Sequence, residues 1–62
     1  MKNDIIKARF NRFMDELPLK LNLVADKMNI PRSTVYKWLA GEIELSNDRL
    51  IAIHNYLAQY GF

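Results

Sequence analysis

Residues 21–41 read LNLVADKMNIPRSTVYKWLAG and contain two short helical segments joined by a sharp break. Apolar residues recur at helical spacing on both sides of the break, without the alternation that is typical of a strand. Asn29 follows the last apolar residue of the first segment, and Asn readily adopts the left-handed conformation that ends a helix. Pro31 disfavours a helix before it and favours one after it. The sequence therefore predicts helices at about 22–28 and about 31–40.

The apolar residues of this unit define one inward face. Ala25 is small, as it must be if the second helix crosses closely over the first. Gly41 stands where a left-handed residue would end the second helix. The side chains that we expect to be buried are Val24, Ala25, Met28, Ile30, Val35 and Trp38.

A helix is predicted on each side of this unit. The first runs from Asn3, as its N-cap, to Leu17, and Pro18 stops it. Its apolar stripe consists of Ile6, Phe10, Phe13, Met14 and Leu17. The last helix begins after a cap at Ser46 or Asn47, and its inward stripe consists of Leu50, Ile53, His54 and Leu57. The prediction is one compact, all-α, four-helix domain over residues 1–62, with the helix-turn-helix in the middle.

Composition excludes several classes of protein. The chain has no Cys and one His, so disulfide frameworks and zinc sites of the usual kind are excluded. The longest strictly apolar run is four residues, 50–53, which predicts no membrane segment and favours a cytoplasmic location. Residues 1–37 hold eight basic and four acidic residues, a net charge of +4, whereas residues 38–62 hold one and three, a net charge of −2. The first part of the chain, residues 1–37, is therefore basic, which is compatible with binding to a polyanion.

Two short helices joined by a tight turn form the unit that places its second helix in the major groove of DNA. The residues VADKM, the turn residue Asn29, the run RSTV, and Trp38 followed by Gly41 resemble the helix-turn-helix of the phage repressor and Cro-like family, also called XRE. The resemblance extends over nearly the whole chain. It implies a lambda repressor-like fold that binds duplex operator DNA in a bacterial cell and regulates transcription. It also implies a homodimer on an inverted repeat, without cofactor, small-molecule substrate or catalysis.

The resemblance also implies which residues contact DNA. An Arg at the start of the recognition helix can donate to O6 and N7 of guanine. Leu21 stands where relatives have a Gln that contacts phosphate, so that contact is either missing or made by the neighbouring Lys20 or Asn22. The expected base-reading residues are Arg32, Ser33, Thr34, Tyr36 and Lys37, and the expected phosphate contacts are Lys20, Asn22 and Lys27.

The last helix is apolar on more faces than one core can cover, which predicts either a dimer seam or packing under the first helix. The seam residues would be Ile51, Tyr56, Tyr60 and Phe62. A rival function is a protein-interaction module of the same fold, such as an antitoxin, antirepressor or adaptor. Glu42 and Glu44 favour that rival, because they occupy a loop that is often basic in the family. An enzyme is the third alternative, but no nucleophile, base and orienting group recur at workable spacing.

Overall fold

Four helices form the structure, a computed structural model that describes residues 1–62. They are α1 (Asn3–Glu16), α2 (Leu21–Lys27), α3 (Arg32–Leu39) and α4 (Asn47–Ala58), and no strand is present. The predicted all-α, four-helix architecture is therefore confirmed. α1 packs against α4, and α2 packs against α3. None of the four has the length and apolar character that a helix needs to cross a membrane.

The helix ends lie within one or two residues of the predicted ones. α1 ends at Glu16 because Pro18 keeps the residue before it extended, and Leu17 has φ −114° and ψ 136°. α3 begins one residue after the predicted start, since Pro31 has an extended ψ of 138° and acts as the N-cap. Of the two candidate caps of α4, Ser46 is the N-cap, and its Oγ accepts a hydrogen bond from Arg49 N–H at 3.4 Å.

The predicted N-cap at Asn3 is wrong, because Lys2 holds that position and Asn3 lies inside α1. The Asn3 side chain is directed toward the rest of the molecule instead. Its Oδ1 accepts hydrogen bonds from Trp38 Nε1–H at 2.9 Å and from Leu45 N–H at 2.8 Å. Its Nδ2 donates to the Leu45 carbonyl at 3.2 Å. One amide thus joins α1, α3 and the loop before α4.

The core is formed by fourteen buried apolar residues drawn from all four helices and the loops. All six side chains predicted to be buried around the bend are buried. Trp38 and Val35 are completely covered, and the Trp38 ring lies 5.8 Å from that of Phe10 on α1. α3 is therefore held by α1 as well as by α2, with one side fixed against the core.

Aromatic residues near the end of the chain pack against α1. Tyr56 is only 8% exposed, and its ring lies 5.7 Å from that of Phe13 on α1. Phe62 is partly buried, with its ring 5.5 Å from the same Phe13 ring. Tyr56 and part of Phe62 therefore pack against Phe13 of α1, which is the second of the two arrangements that the sequence leaves open. Ile51 and Tyr60 stay accessible, at 38% and 43% exposure.

His54, which was predicted on the inward stripe of α4, is half-buried rather than buried. Its Nδ1 lies 2.9 Å from Nη1 of Arg9 on α1. Arg9 Nε also donates to the Phe62 carbonyl oxygen at 2.8 Å. Arg9 therefore connects α1 to α4 and to Phe62, which follows the C-terminal end of α4.

Candidate nucleic-acid interface

The bend between α2 and α3 is set by backbone geometry at Asn29. Asn29 has φ 59°, as predicted, and is the only residue other than glycine with a positive φ. Its N–H donates to the Asp26 carbonyl at 3.1 Å, and Ile30 N–H donates to the Ala25 carbonyl at 3.1 Å. This is the Schellman arrangement, in which a left-handed residue closes the end of a helix. Ile30 is buried behind it, so the chain turns sharply into Pro31 and α3.

The C-terminal end of α3 is closed in the same way. Gly41 has φ 80°, and its N–H donates to the Trp38 carbonyl at 3.1 Å. Glu42 N–H donates to the Lys37 carbonyl at 2.9 Å. With both of its ends defined, α3 is a helix of eight residues supported by the core on one side.

The opposite side of α3 is free. We call Arg32, Ser33, Tyr36 and Lys37 the outer face of α3, because all four side chains are exposed. Thr34, the fifth predicted base-reading residue, is half-buried. The three predicted phosphate-contacting residues, Lys20, Asn22 and Lys27, are exposed on or next to α2. All the predicted DNA-contacting residues except Thr34 are therefore accessible on or next to α2 and α3.

Two members of the outer face are held by α2. Arg32 Nε donates to Asp26 Oδ1 at 3.1 Å, and Arg32 Nη2 donates to Asp26 Oδ2 at 2.6 Å. Tyr36 Oη donates to Asn22 Oδ1 at 2.6 Å. Each contact spans the bend, so the side chains of α3 and α2 are fixed relative to one another.

The Arg32–Asp26 ion pair makes the interface less positive than the sequence predicts. The hydrogen bond from Arg32, together with the attraction of its charge, lowers the pKa of Asp26 below its ordinary value, although some desolvation opposes the shift. The same hydrogen bond raises the pKa of Arg32. The positive charge of Arg32 is therefore partly balanced, whereas Lys20, Lys27 and Lys37 have no acidic partner.

Sequence reasoning missed Asp26 and Arg49. Helical spacing assigns no role to Asp26, because its contact with Arg32 depends on the rotation at which α3 crosses α2. Arg49 lies in the first turn of α4, is exposed and has no acidic partner. Both line an open pocket of about 480 Å³ beside the bend, together with Asn29, Ile30 and Pro31. Arg49 thus brings a further positive charge to this side of the molecule.

Comparison with known proteins agrees with this geometry. Residues 14–59, which are more than half of the chain, match the protein-family model described as Helix-turn-helix. Comparison with curated proteins and with solved structures gave no match. The matched range contains α2, the bend, α3 and nearly all of α4. The chain belongs to the XRE family of helix-turn-helix proteins, the phage repressor and Cro-like family of DNA-binding regulators.

Proposed function

We propose that the chain is a sequence-specific regulator of transcription, of the phage repressor or Cro-like type, that inserts α3 into the major groove of duplex DNA. The observation that carries the proposal is the division of α3 into two sides. Val35 and Trp38 are completely buried, while the outer face of α3 is exposed at a bend of defined geometry. A short helix supported on one side and polar on the other is what groove recognition requires.

The residues have different roles in this proposal. Arg32, Ser33, Tyr36 and Lys37 contact base edges, and Thr34, being half-buried, contacts a base or the backbone at the rim of the helix. Phosphate contacts come from the unpaired charges of Lys20 and Lys27, with Arg49 as an addition. Asn22 has a double role, because its Oδ1 is occupied by Tyr36 while its amide N–H groups are free to donate to a phosphate oxygen.

The proposal includes a homodimer bound to an inverted repeat in the cytoplasm of a bacterial cell, without cofactor or catalytic step. A two-fold operator matches a two-fold protein, and helix-turn-helix dimers read half-sites about one helical turn apart. Ile51 and Tyr60 are the accessible part of the predicted seam and are the residues through which two copies would meet.

Selection from a pool of random duplexes tests the proposal directly. We expect enrichment of an inverted repeat whose half-site centres lie about 34–36 Å apart. Affinity for the selected duplex should fall steeply as salt concentration rises, since Lys and Arg displace counterions from phosphates. Failure to enrich any sequence, with the folded protein and over a range of salt, would contradict the proposal.

One observation favours a second candidate, the protein-interaction module. Immediately after α3 the chain exposes Glu42, Ile43 and Glu44, and Ile43 is 37% exposed. Two acids beside an exposed Ile suit a protein partner better than a phosphate backbone. The salt titration separates the two candidates, because an apolar contact is far less sensitive to salt than phosphate neutralisation.

A further inference from the structure

The Asp26 carboxylate occupies one edge of the Arg32 guanidinium and leaves another edge unoccupied. The occupied edge consists of Nε and Nη2, at 3.1 and 2.6 Å from the two carboxylate oxygens. Nη1 makes no hydrogen bond. A guanidinium carries its N–H donors in one rigid plane, so the edge formed by Nη1 and Nη2 still presents two parallel donors.

Guanine is the base that matches this free edge. In the major groove it presents O6 and N7 as adjacent acceptors, and Arg donates to both at once. Adenine presents an amino donor beside N7, and the pyrimidines offer no such pair of acceptors. A guanidinium fixed in one orientation therefore distinguishes guanine from the other bases by geometry as well as by charge.

Without a partner, Arg32 would satisfy this geometry only part of the time. Its side chain is 55% exposed and has the rotamer freedom of a long, flexible residue. It would also be free to turn toward a phosphate, which carries no sequence information. The bidentate contact with Asp26 restricts the side chain before DNA arrives, and the negative charge of Asp26 disfavours the approach of a phosphate.

We propose that Asp26 is a positioning residue that orients Arg32 for guanine, so that each half-site carries a guanine opposite Arg32. This inference rests on the proposed function. It assigns to α2 a part in base selection, although Asp26 itself touches no base. The alternative is an ordinary exposed ion pair that only adds to the stability of the fold. Such pairs contribute little to stability.

The test compares wild type with Asp26→Ala, Arg32→Ala and the double variant on duplexes derived from the wild-type selection. Affinity is measured by fluorescence anisotropy for the selected duplex, for duplexes with each other base at the position that depends on Arg32, and for an unrelated duplex. Asp26→Ala should lower discrimination for guanine roughly tenfold, which lies within the range lost with one bidentate base contact. Its affinity for the unrelated duplex should be unchanged or higher, because one negative charge has been removed.

Three controls make the result specific. In the Arg32→Ala background, Asp26→Ala should cause no further loss of discrimination, since Asp26 acts through Arg32. Replacing the guanine by 7-deazaguanine, which lacks the N7 acceptor, should weaken wild type and leave Arg32→Ala unchanged. Asp15→Ala makes the same change of net charge on α1, where Asp15 is exposed and forms no ion pair, and should keep wild-type discrimination.

Asp26→Asn gives an independent second variant, because it keeps the size of the side chain but loses the charge and one acceptor oxygen. It should lose discrimination as well, and circular dichroism during heating checks that both variants are folded. The inference is overturned if either folded variant discriminates as wild type does, or if the base that depends on Arg32 is not guanine. If wild type binds duplexes without any base preference, the proposed function fails and this inference with it.

Discussion

At the scale of single residues, the positive charges of the interface are of two kinds. Arg32 is paired with Asp26, whereas Lys20 and Lys27, the two lysines proposed to contact phosphate, are exposed without an acidic partner. A Lys ammonium on a flexible stem suits a phosphate, and a fixed guanidinium suits a base edge. The two kinds of residue should therefore differ in how their loss affects binding.

Lys27→Ala tests the role of the lysines that are proposed to bind phosphate. We expect weaker binding to every duplex by a similar factor, because phosphate contacts carry no sequence information. The slope of log affinity against log salt should become shallower by about 1, as one counterion fewer is released. Arg12→Ala is the control, since Arg12 lies on α1 and is already paired with Glu16. A sequence-dependent loss, or an unchanged slope, would contradict the assignment of Lys27.

Tyr56 is a residue whose burial carries a cost. Its hydroxyl is buried and has no hydrogen-bond partner. A buried polar group without a partner keeps its full desolvation penalty. We expect Tyr56→Phe to raise the free energy of unfolding by about 1 kcal/mol, because the ring contacts stay and the orphan hydroxyl is removed. Urea denaturation measures this, and a lower stability of the Phe variant would show that the hydroxyl has a favourable partner in solution.

The same hydroxyl predicts a dependence on alkaline pH. Burial, and to a smaller extent the neighbouring Tyr60 hydroxyl, which lies outside hydrogen-bond geometry, raise the pKa of Tyr56 from 10.0 to about 12. The folded state thus favours the neutral phenol, and this preference is fully present below pH 10 and lost as pH rises to about 12. The free energy of unfolding should fall over that interval, and less steeply in Tyr56→Phe. Parallel curves for the two proteins would contradict this expectation.

At the scale of the elements, the bend was the most predictable feature of the chain. Asn29 and Gly41 were identified as left-handed residues because few other residues adopt that conformation, and both have positive φ. The six buried positions around the bend followed from the apolar pattern of the two helices and the turn and, for Ala25, from the close crossing of the helices. Local chemistry determines these features, so the sequence is sufficient to predict them.

Substitution of Asn29 tests whether its conformation or its side chain matters. The side chain is exposed and forms no hydrogen bond, so only the φ of 59° should be important. Asn29→Gly should keep the stability of wild type or exceed it, whereas Asn29→Ala should cost about 1 kcal/mol, because Cβ disfavours the left-handed region. Thermal unfolding of the two variants measures the difference. Equal stability of the Gly and Ala variants would contradict the argument.

The contacts across the bend were not predictable in the same way. The pairs Arg32–Asp26 and Tyr36–Asn22 depend on the angle and rotation at which α3 crosses α2. Helical spacing identifies which side of each helix faces outward but leaves that rotation undetermined. The sequence therefore predicted the outer face of α3, and the structure was needed to identify the residues that hold it.

At the scale of the whole molecule, Asn3 joins parts of the chain that are far apart in sequence. Its partners are Trp38, 35 residues away, and Leu45, 42 residues away. Propensity predicted a helix cap, since Asn near a helix start usually caps it. Long-range packing determined the actual role, and no local pattern in the sequence carries that information.

Asn3→Ala tests this connection. It leaves Trp38 Nε1–H and Leu45 N–H without their acceptor in a partly buried place, and we expect a loss of about 2 kcal/mol in the free energy of unfolding. Tryptophan fluorescence should shift as water reaches the indole. Asn11→Ala is the matched control, because Asn11 is on α1, exposed and without a hydrogen bond. Equal stability of the two variants would exclude a structural role for the Asn3 amide.

The Trp38–Asn3 hydrogen bond limits how the recognition segment can be transplanted. A graft of residues 21–39, which carries only α2, the bend and α3 into another scaffold, would bring an indole whose N–H acceptor was left behind on α1. The recipient would have to offer an oxygen at the same place, or the transplanted helix would settle at a different tilt. Chimeras that are designed to exchange operator preference should therefore exchange α1 together with the recognition helix α3.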